Sequence, residues 1–555
     1  MTQINLPNER HVGHLTLLRQ GRKISVQEYN ALSRSERMAM IRQANGKQKY
    51  DLLINASDAN RLTAQLHPQE LYLTVNEIGS EYAVELLAMA TAEQITTLLD
   101  MDCWDGDSVS PVLSLTWLQL LLDTGAEKVC QLVQQIEPEI LAIFLKKHMV
   151  ITRGLEVYDD DDAENANRLE SLYDIDFASE DAAKIIGAFL KIIMEQAQDS
   201  YLLLMEMIRS EMASTLEEEV YQARNNRLSD LGFVTKNEAQ SIYATVDPDN
   251  FTPGGKNDYR LEADELPNPG ALLAQAAPEN LLAEVLTNGL SHELATELCM
   301  LANRKMSADS TDISSPSELG SSLQELYNIL NLALEHLAGK NVDKAIDIVA
   351  QTYLQQLFQL GHSLLKRLQT QAKQLLLGPL GPFFDYPEQL FLDALMEKPP
   401  VLYREATEDQ PSSLEPITTS KELVAVSTRL LQIKELETLF CGKLPFSLPE
   451  IDDDEEADAT LSTYFLTAVG NRLLGRDFIP APLSPEDLLL LKSQTISAGS
   501  LSEELVKELN NFIQQSGVNY QTFINFCLEC WHDDLTAFDL ESFDPEEPFC
   551  FLLED

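Results

Sequence analysis

Along most of the chain the apolar positions recur three and four residues apart, the period of a helix with one buried face. The starts of these helices are marked. Ser25-x-x-Glu28, Ser33-x-x-Glu36, Thr91-x-x-Gln94 and Ser500-x-x-Glu503 each read as a capping box, in which two otherwise unpaired amides gain side-chain acceptors. Other starts place a proline in the first turn, at Pro68, Pro138, Pro278, Pro387 and Pro485. The stretch Ala182 to Ala213 predicts the longest helix, with a broad apolar stripe that needs more than one neighbour. No region offers several alternating β-branched runs between turns. The expected fold is therefore all-α: a multi-domain array of short helices, α-solenoid-like or helical-repeat, with little or no sheet and no strict repeat period.

A chain of 555 residues exceeds what one core usually organises. Clusters of Pro, Gly, Ser and acids place the expected boundaries: a basic segment 1–50, a helical domain 51–245, a linker 246–270, a helical domain 271–397, a linker 398–421, and a C-terminal helical domain 422–555 with an acidic loop 452–458. The charge is uneven. The whole carries a formal net charge of -49, whereas residues 1–50 are basic, with Arg10, Arg19, Arg22, Lys23, Arg34, Arg37, Arg42, Lys47 and Lys49. Opposite signs in one chain predict that the segment docks on the body. The acidic surface repels nucleic acid and anionic lipid, and its plain role is hydration of helix faces.

The first residues lack the pattern of a secretory signal. The longest charge-free run, Ile348 to Leu365, contains four glutamines and reads as a buried amphipathic helix, not a membrane span. Seven cysteines, an odd and scattered number, suit a reducing compartment. These features predict a bacterial-type cytoplasmic protein.

Catalytic and metal motifs are incomplete. His292-Glu293-Leu294-Ala295-Thr296 lacks the second His of a zinc-protease helix, and Gly254-Gly255-Lys256-Asn257 reads as a turn, not a phosphate loop. Asp100-Met101-Asp102-Cys103-Trp104-Asp105-Gly106 departs from a calcium loop and reads as a helix end followed by a tight polar turn. Cys527 and Cys530, with Cys550 further on, read as buried thiols before they read as a zinc site. The acidic runs Asp159 to Asp162 and Asp452 to Glu456 have loop composition, unlike the cavity-wall aspartates of an isoprenoid synthase. No catalytic residue, metal or cofactor is assigned.

Pro68 to Gly79, Ala83 to Ala88, Leu98 to Asp107, Trp117-Leu118 and Glu217 to Phe233 resemble an uncharacterised family of large bacterial proteins, a domain of unknown function, most clearly over residues 50–250. Residues 65–150 more loosely resemble the helical N-terminal domain of MgtE-type magnesium transporters. Within these stretches Asp102, Trp104, Asp105, Arg224 and Arg227 are the weak interaction candidates. The structural expectation is that Trp104 and Trp117 fill space between helices and that Gly232 ends a helix in the left-handed region with Phe233 folding back. Arg224 and Arg227 are expected to pair with Glu217 to Glu219 or with carbonyls at that helix end; the functional alternative is a grip on an anionic ligand. The leading functional expectation is a non-enzymatic scaffold or adaptor with a protein partner. The alternatives are a soluble regulator responding to divalent cations and an all-α enzyme.

Overall fold

The computed structural model describes residues 3–5, 23–44, 46–153, 173–256, 280–287, 292–405, 411–451, 457, 459–497, 500–503, 505–507, 509, 521–540 and 549–554. Arg10, Arg19, Arg22, Pro278, Phe543, both acidic runs and much of the 246–270 linker lie outside them. The chain forms two compact units. Unit 1 is Met1–Ala244, Thr252–Leu330 and Lys340–Gln359; unit 2 is Thr245–Phe251, Asn331–Gly339 and Leu360–Asp555.

Helix dominates, as the periodicity predicts. The strands among the described residues form five two-stranded antiparallel sheets. Unit 1 opens with β1 (Gln3–Asn5) on β2 (Lys23–Ser25), then α1 (Val26–Ala31), α2 (Arg34–Gln43), α3 (Gly46–Ile54), α4 (Ala59–Thr63), α5 (Pro68–Ile78), α6 (Ser80–Met89) and α7 (Ala92–Asp102). A hairpin, β3 (Trp104–Asp105) and β4 (Ser108–Val109), leads to α8 (Pro111–Asp123), α9 (Ala126–Gln135) and α10 (Pro138–Lys146). A second hairpin, β5 (Met149–Arg153) and β6 (Asp174–Phe177), precedes α11 (Glu180–Gln196), α12 (Gln198–Ser210), α13 (Ala213–Asp230) and α14 (Lys236–Ala239). There follow α15 (Leu281–Thr287), α16 (His292–Asp309), α17 (Pro316–Ala338), α18 (Val342–Gln351) and α19 (Leu354–Leu376), of which α17 and α19 contribute residues to both units.

In unit 1, helices pack on first and second neighbours, α5 on α6 and α7, α6 on α8, and α8 and α9 on α11, and α13 closes back onto α7. Their inner faces, including Leu71, Leu86, Leu87, Ile95, Leu98, Ile140 to Leu145, Ile186 and Phe189, are shut from water. Burial of such side chains supplies most of the stabilisation that short helices lack in isolation.

Unit 2 contains α20 (Tyr386–Met396), the hairpin β7 (Val401–Arg404) and β8 (Ser413–Pro416), α21 (Ser420–Gly442), α22 (Leu461–Leu473), α23 (Pro485–Thr495), β9 (Ile496–Ser497), β10 (Ser500–Leu501) and α24 (Gln521–Ala537). Its core is aromatic: Phe523 meets Phe440 and Phe465, and Trp531 meets Phe551 edge-on at 4.9 Å. The C-terminal residues are anchored as their aromatics imply. The Phe549 and Phe551 rings meet at a tilt, 5.8 Å apart, and Leu483 exchanges backbone hydrogen bonds with Leu552 and Glu554.

Local start signals are obeyed at Ser25, Ser33 and Thr91, each of which completes a capping box. Thr419-x-x-Glu422 and Ser484-x-x-Asp487 form two more. Ser500 is a correction: it lies in β10, and the hydroxyl of Ser502 accepts from the Leu505 amide instead. Gly232 behaves as expected. At φ 91° it follows α13, its N–H donates to Ser229, and the Phe233 N–H reaches back to the Leu228 carbonyl.

Two long helical patterns are broken. The Ala182 to Ala213 stretch divides at Ala197 (φ -141°, ψ 57°), because α11 packs on α8 and α9 whereas α12 packs on α10. The two helices it forms, of 17 and 13 residues, are each shorter than α17, α19 and α21, which have 23 residues each. The Ile348 to Leu365 run splits between α18 and α19 at extended Thr352, whose hydroxyl accepts from the Gly254 amide at 3.0 Å. Gly254 and Gly255, both at positive φ, lie in irregular backbone where a turn is expected; the Gly254 and Lys256 amides bond to Thr352 and Gln351 and not within the segment. Among the described residues no helix is long and apolar enough to cross a membrane.

Basic residues of the first fifty that are described do meet acids of unit 1. Arg34 and Arg37 pair with Asp58, and Lys49 forms a buried pair with Glu70 at 2.6 Å.

A Cβ at Gly232 would stand 2.7 Å from the Met300 Cα, in a backbone conformation that L side chains avoid. Gly232→Ala should therefore lower unfolding stability by about 2 kcal/mol or more in urea titrations. His67 caps α5 by accepting from the Gln69 amide at 3.3 Å, and burial pushes its pKa down to about 4. Neutral His67 stabilises the fold fully above its ordinary value of 6.5, and that stability drains as pH falls from 6.5 towards 4. The slope is at most about 1.4 kcal/mol per pH unit for one proton. His67→Asn, which keeps an acceptor at the cap, should flatten the loss of stability between those pH values.

Candidate functional site

Four of the five sequence-selected residues, Asp102, Trp104, Arg224 and Arg227, gather at the end of α7. Asp102, in its last turn, accepts from the Tyr72 hydroxyl at 3.0 Å and from the Trp117 indole at 2.6 Å. Trp104 opens the hairpin that follows; its ring meets Tyr221 at 5.8 Å, and the Arg224 guanidinium lies 5.1 Å from its centre. Asp105 stands apart, exposed on the hairpin beside Gly106 at φ 64°. The segment is thus a helix end and a tight polar turn.

The arginines do not pair where the sequence pointed. Arg224 donates through Nε to the Asp100 carbonyl at 2.7 Å. Arg227 grips the Asp100 carboxylate through Nε (2.7 Å) and Nη2 (3.0 Å) and reaches Glu137 through Nη1 (2.9 Å). Their partners come from α7 and from the residue before α10, not from their own helix. Glu217 is occupied elsewhere, by Lys147 and the Val109 amide, each at 2.7 Å. Sequence reasoning missed Asp100 as the partner because 127 positions separate it from Arg227.

Asp100 is 1% exposed. Burial pushes its carboxyl above the ordinary value, against the pull of Arg227 and Arg224. Burial also opposes the charge of Arg227, but Asp100 and Glu137 outweigh it and raise the guanidinium pKa. With both carboxylate oxygens and the Arg227 Nε–Nη2 edge already engaged, this cluster is a joint that fixes α7, the hairpin and α13.

The joint also fixes α8, through Trp117. Ser114, Trp117, Leu118 and Leu121 face inward. The opposite side, with Val112, Leu115, Thr116, Gln119 and Leu120, lines an open groove of about 960 Å³ whose far wall is Asp181, Lys184 and Ile185 of α11. Val112 is 75% exposed. A helix apolar on both sides, Pro-Val-Leu-Ser-Leu-Thr-Trp-Leu-Gln-Leu-Leu-Leu, was the sequence signal for this second face.

His148, at the groove floor, lies 3.2 Å through Nε2 from the Ser114 hydroxyl. The Ser114 hydroxyl also reaches the Pro111 carbonyl at 3.1 Å, and which group donates in the His148 pair depends on the imidazole tautomer. Burial lowers the His148 pKa. The contact ties the start of α8 to the residue preceding β5.

The cysteines are all free thiols. Burial pushes Cys530 up to about 12, and Asp385 and Asp534 nearby add to the rise; burial also raises Cys527 and Cys550 well above the ordinary thiol value. Protonated thiols of this kind are poor ligands and poor nucleophiles. Among the described residues no three His, Cys, Asp or Glu side chains converge to hold a metal ion.

Fold and site together define a helical protein with a polar joint and an open apolar groove. The chain belongs to the family of unknown function DUF6178, which it matches over residues 26–554. The family likeness seen at residues 50–250 thus runs through nearly the whole chain. No curated protein and no solved structure matches it, so the likeness of residues 65–150 to the MgtE-type domain finds no support there.

Removing one member of the joint should cost more than removing both. Arg227→Met leaves a buried, unpaired carboxylate and should destabilise the fold by about 3–5 kcal/mol at neutral pH, and by less as the pH is lowered and burial favours the protonated form of Asp100. Asp100→Leu combined with Arg227→Met should recover much of that loss in denaturant titrations.

Proposed function

We propose that this protein is a cytoplasmic interaction scaffold and that the groove between α8 and α11 receives an amphipathic helix of a partner protein. The observation that carries this reading is the second apolar face of α8, held in place by the joint yet left open to water. A helix end or a hydrophilic surface needs no such face, and contiguous exposed apolar surface is a mark of binding sites. The twelve residues from Val112 to Asp123 run about 17 Å, which matches about three turns of a bound helix.

The rim supplies a sign. Asp123 and Asp181 flank the groove against Lys184, and the whole chain carries -49. The partner helix therefore has an apolar stripe with Lys or Arg at its edges, and its association rate falls with added salt.

A photo-crosslinking residue placed at Val112 should capture one discrete partner in the native host, and the same residue at exposed Val424, far along the sequence in α21, should not. Leu120→Arg should abolish the Val112 adduct without changing the circular dichroism melt. Equal adducts at both positions, or an adduct insensitive to Leu120→Arg, would refute the groove as the docking site.

A further inference from the structure

Unit 2 contains a separate cleft of about 570 Å³, formed by the β7–β8 hairpin against α20 and α21. Leu402 and Ala425 give it apolar surface, backed by Phe391 and Val426, each 1% exposed; Tyr403 and Ser413 carry hydroxyls. Arg429 of α21 lines it, with its guanidinium stacked 4.3 Å above the Phe391 ring. From that position Nη2 donates to the Pro387 carbonyl at 3.3 Å and to Glu405 at 3.1 Å. Nε, on the same edge of the guanidinium, is shut from solvent and has no hydrogen-bond partner among the described residues.

The chain contains its own comparison. In unit 1 the equivalent Nε–Nη2 edge of Arg227 is filled by both oxygens of Asp100, the geometry a guanidinium favours. In Arg429 half of that edge is empty, and a buried charged donor left without an acceptor is costly. Glu405 holds the other half from the rim, where its side chain is 55% exposed and can swing away. Arg404 offers no substitute, since it is engaged by Glu415 and Glu422.

We infer that this cleft binds a small organic carboxylate with a flat apolar body: the carboxylate displaces Glu405 and takes both Nε and Nη2 of Arg429, and the body lies between Phe391, Leu402 and Val426. The volume falls within the range of small-molecule sites. Arginine gives the charge and its contact with Phe391 keeps the guanidinium in place; the Tyr403 hydroxyl lines the cleft for a further polar group, and the Ser413 hydroxyl, which donates to Glu415 at 3.4 Å, can accept from one.

The test is calorimetric titration of the full chain with 1-naphthoate, with the uncharged 1-naphthalenemethanol as control. Naphthoate should bind at one site and the alcohol should not. Affinity should fall at least tenfold in Arg429→Gln and in Ala425→Trp, which narrows the cleft without touching an ion pair, and Glu405→Gln should tighten binding. Absence of naphthoate binding at millimolar concentration would overturn the assignment. So would undiminished binding in folded Ala425→Trp, or a tenfold loss in Glu405→Gln.

Discussion

An array of short helices has many ends, and each end presents four amides or four carbonyls without partners inside the helix. In this protein several of these ends are closed by side chains from elsewhere in the chain. Gln94 donates to the Thr63 and Leu66 carbonyls at the end of α4, both at 2.8 Å, and Arg224 closes on α7 at Asp100. Lys128 and Lys146 reach the carbonyls of Ala90 and Ile208. Glu297 accepts from the first amide of α19, Glu335 from the first amide of α21, and Asp385 from the Ser462 amide in α22. Lys492 satisfies Thr536 and Phe538 at the end of α24. Acids serve N-termini, and Lys, Arg and Gln serve C-termini, as the helix dipole favours.

That constraint gives some of the charged residues a structural task. Surface hydration accounts for scattered glutamates, but Glu297, Glu335 and Asp385 hold the start of one helix against the body of another. The buried amide pair of Gln69 and Asn303, which exchange hydrogen bonds at 2.8 and 3.0 Å, extends the same logic to the interior of unit 1. Both groups are fully committed, so the polar contact fixes an orientation that apolar packing alone leaves free.

What was legible in the sequence follows the same division. Features decided within one turn could be read: the boxes at Ser25, Ser33 and Thr91, the prolines at Pro68 and Pro138, and the left-handed cap at Gly232. Features decided by distant partners could not. Ala197 breaks a strong helical pattern because its two sides pack on different helices, and Thr352 breaks another where it receives the Gly254 amide. Arg224 and Arg227 were visible as a pair of interest, but their partner Asp100 lies in another helix and Glu137 before a third. The groove was half visible, in the all-round apolarity of α8. The open edge of Arg429 left no trace in the sequence, since it depends on Phe391, Pro387 and Glu405 meeting in space.

The long-range caps also bear on how each unit comes apart. In a simple solenoid each repeat touches its neighbours, so the array can fray from one end. Here the end of one helix is sealed by the middle of another that is remote in sequence, so opening either strips hydrogen bonds from both. Local openings are therefore tied together, and backbone amides within a unit are released to exchange with solvent as a block instead of helix by helix.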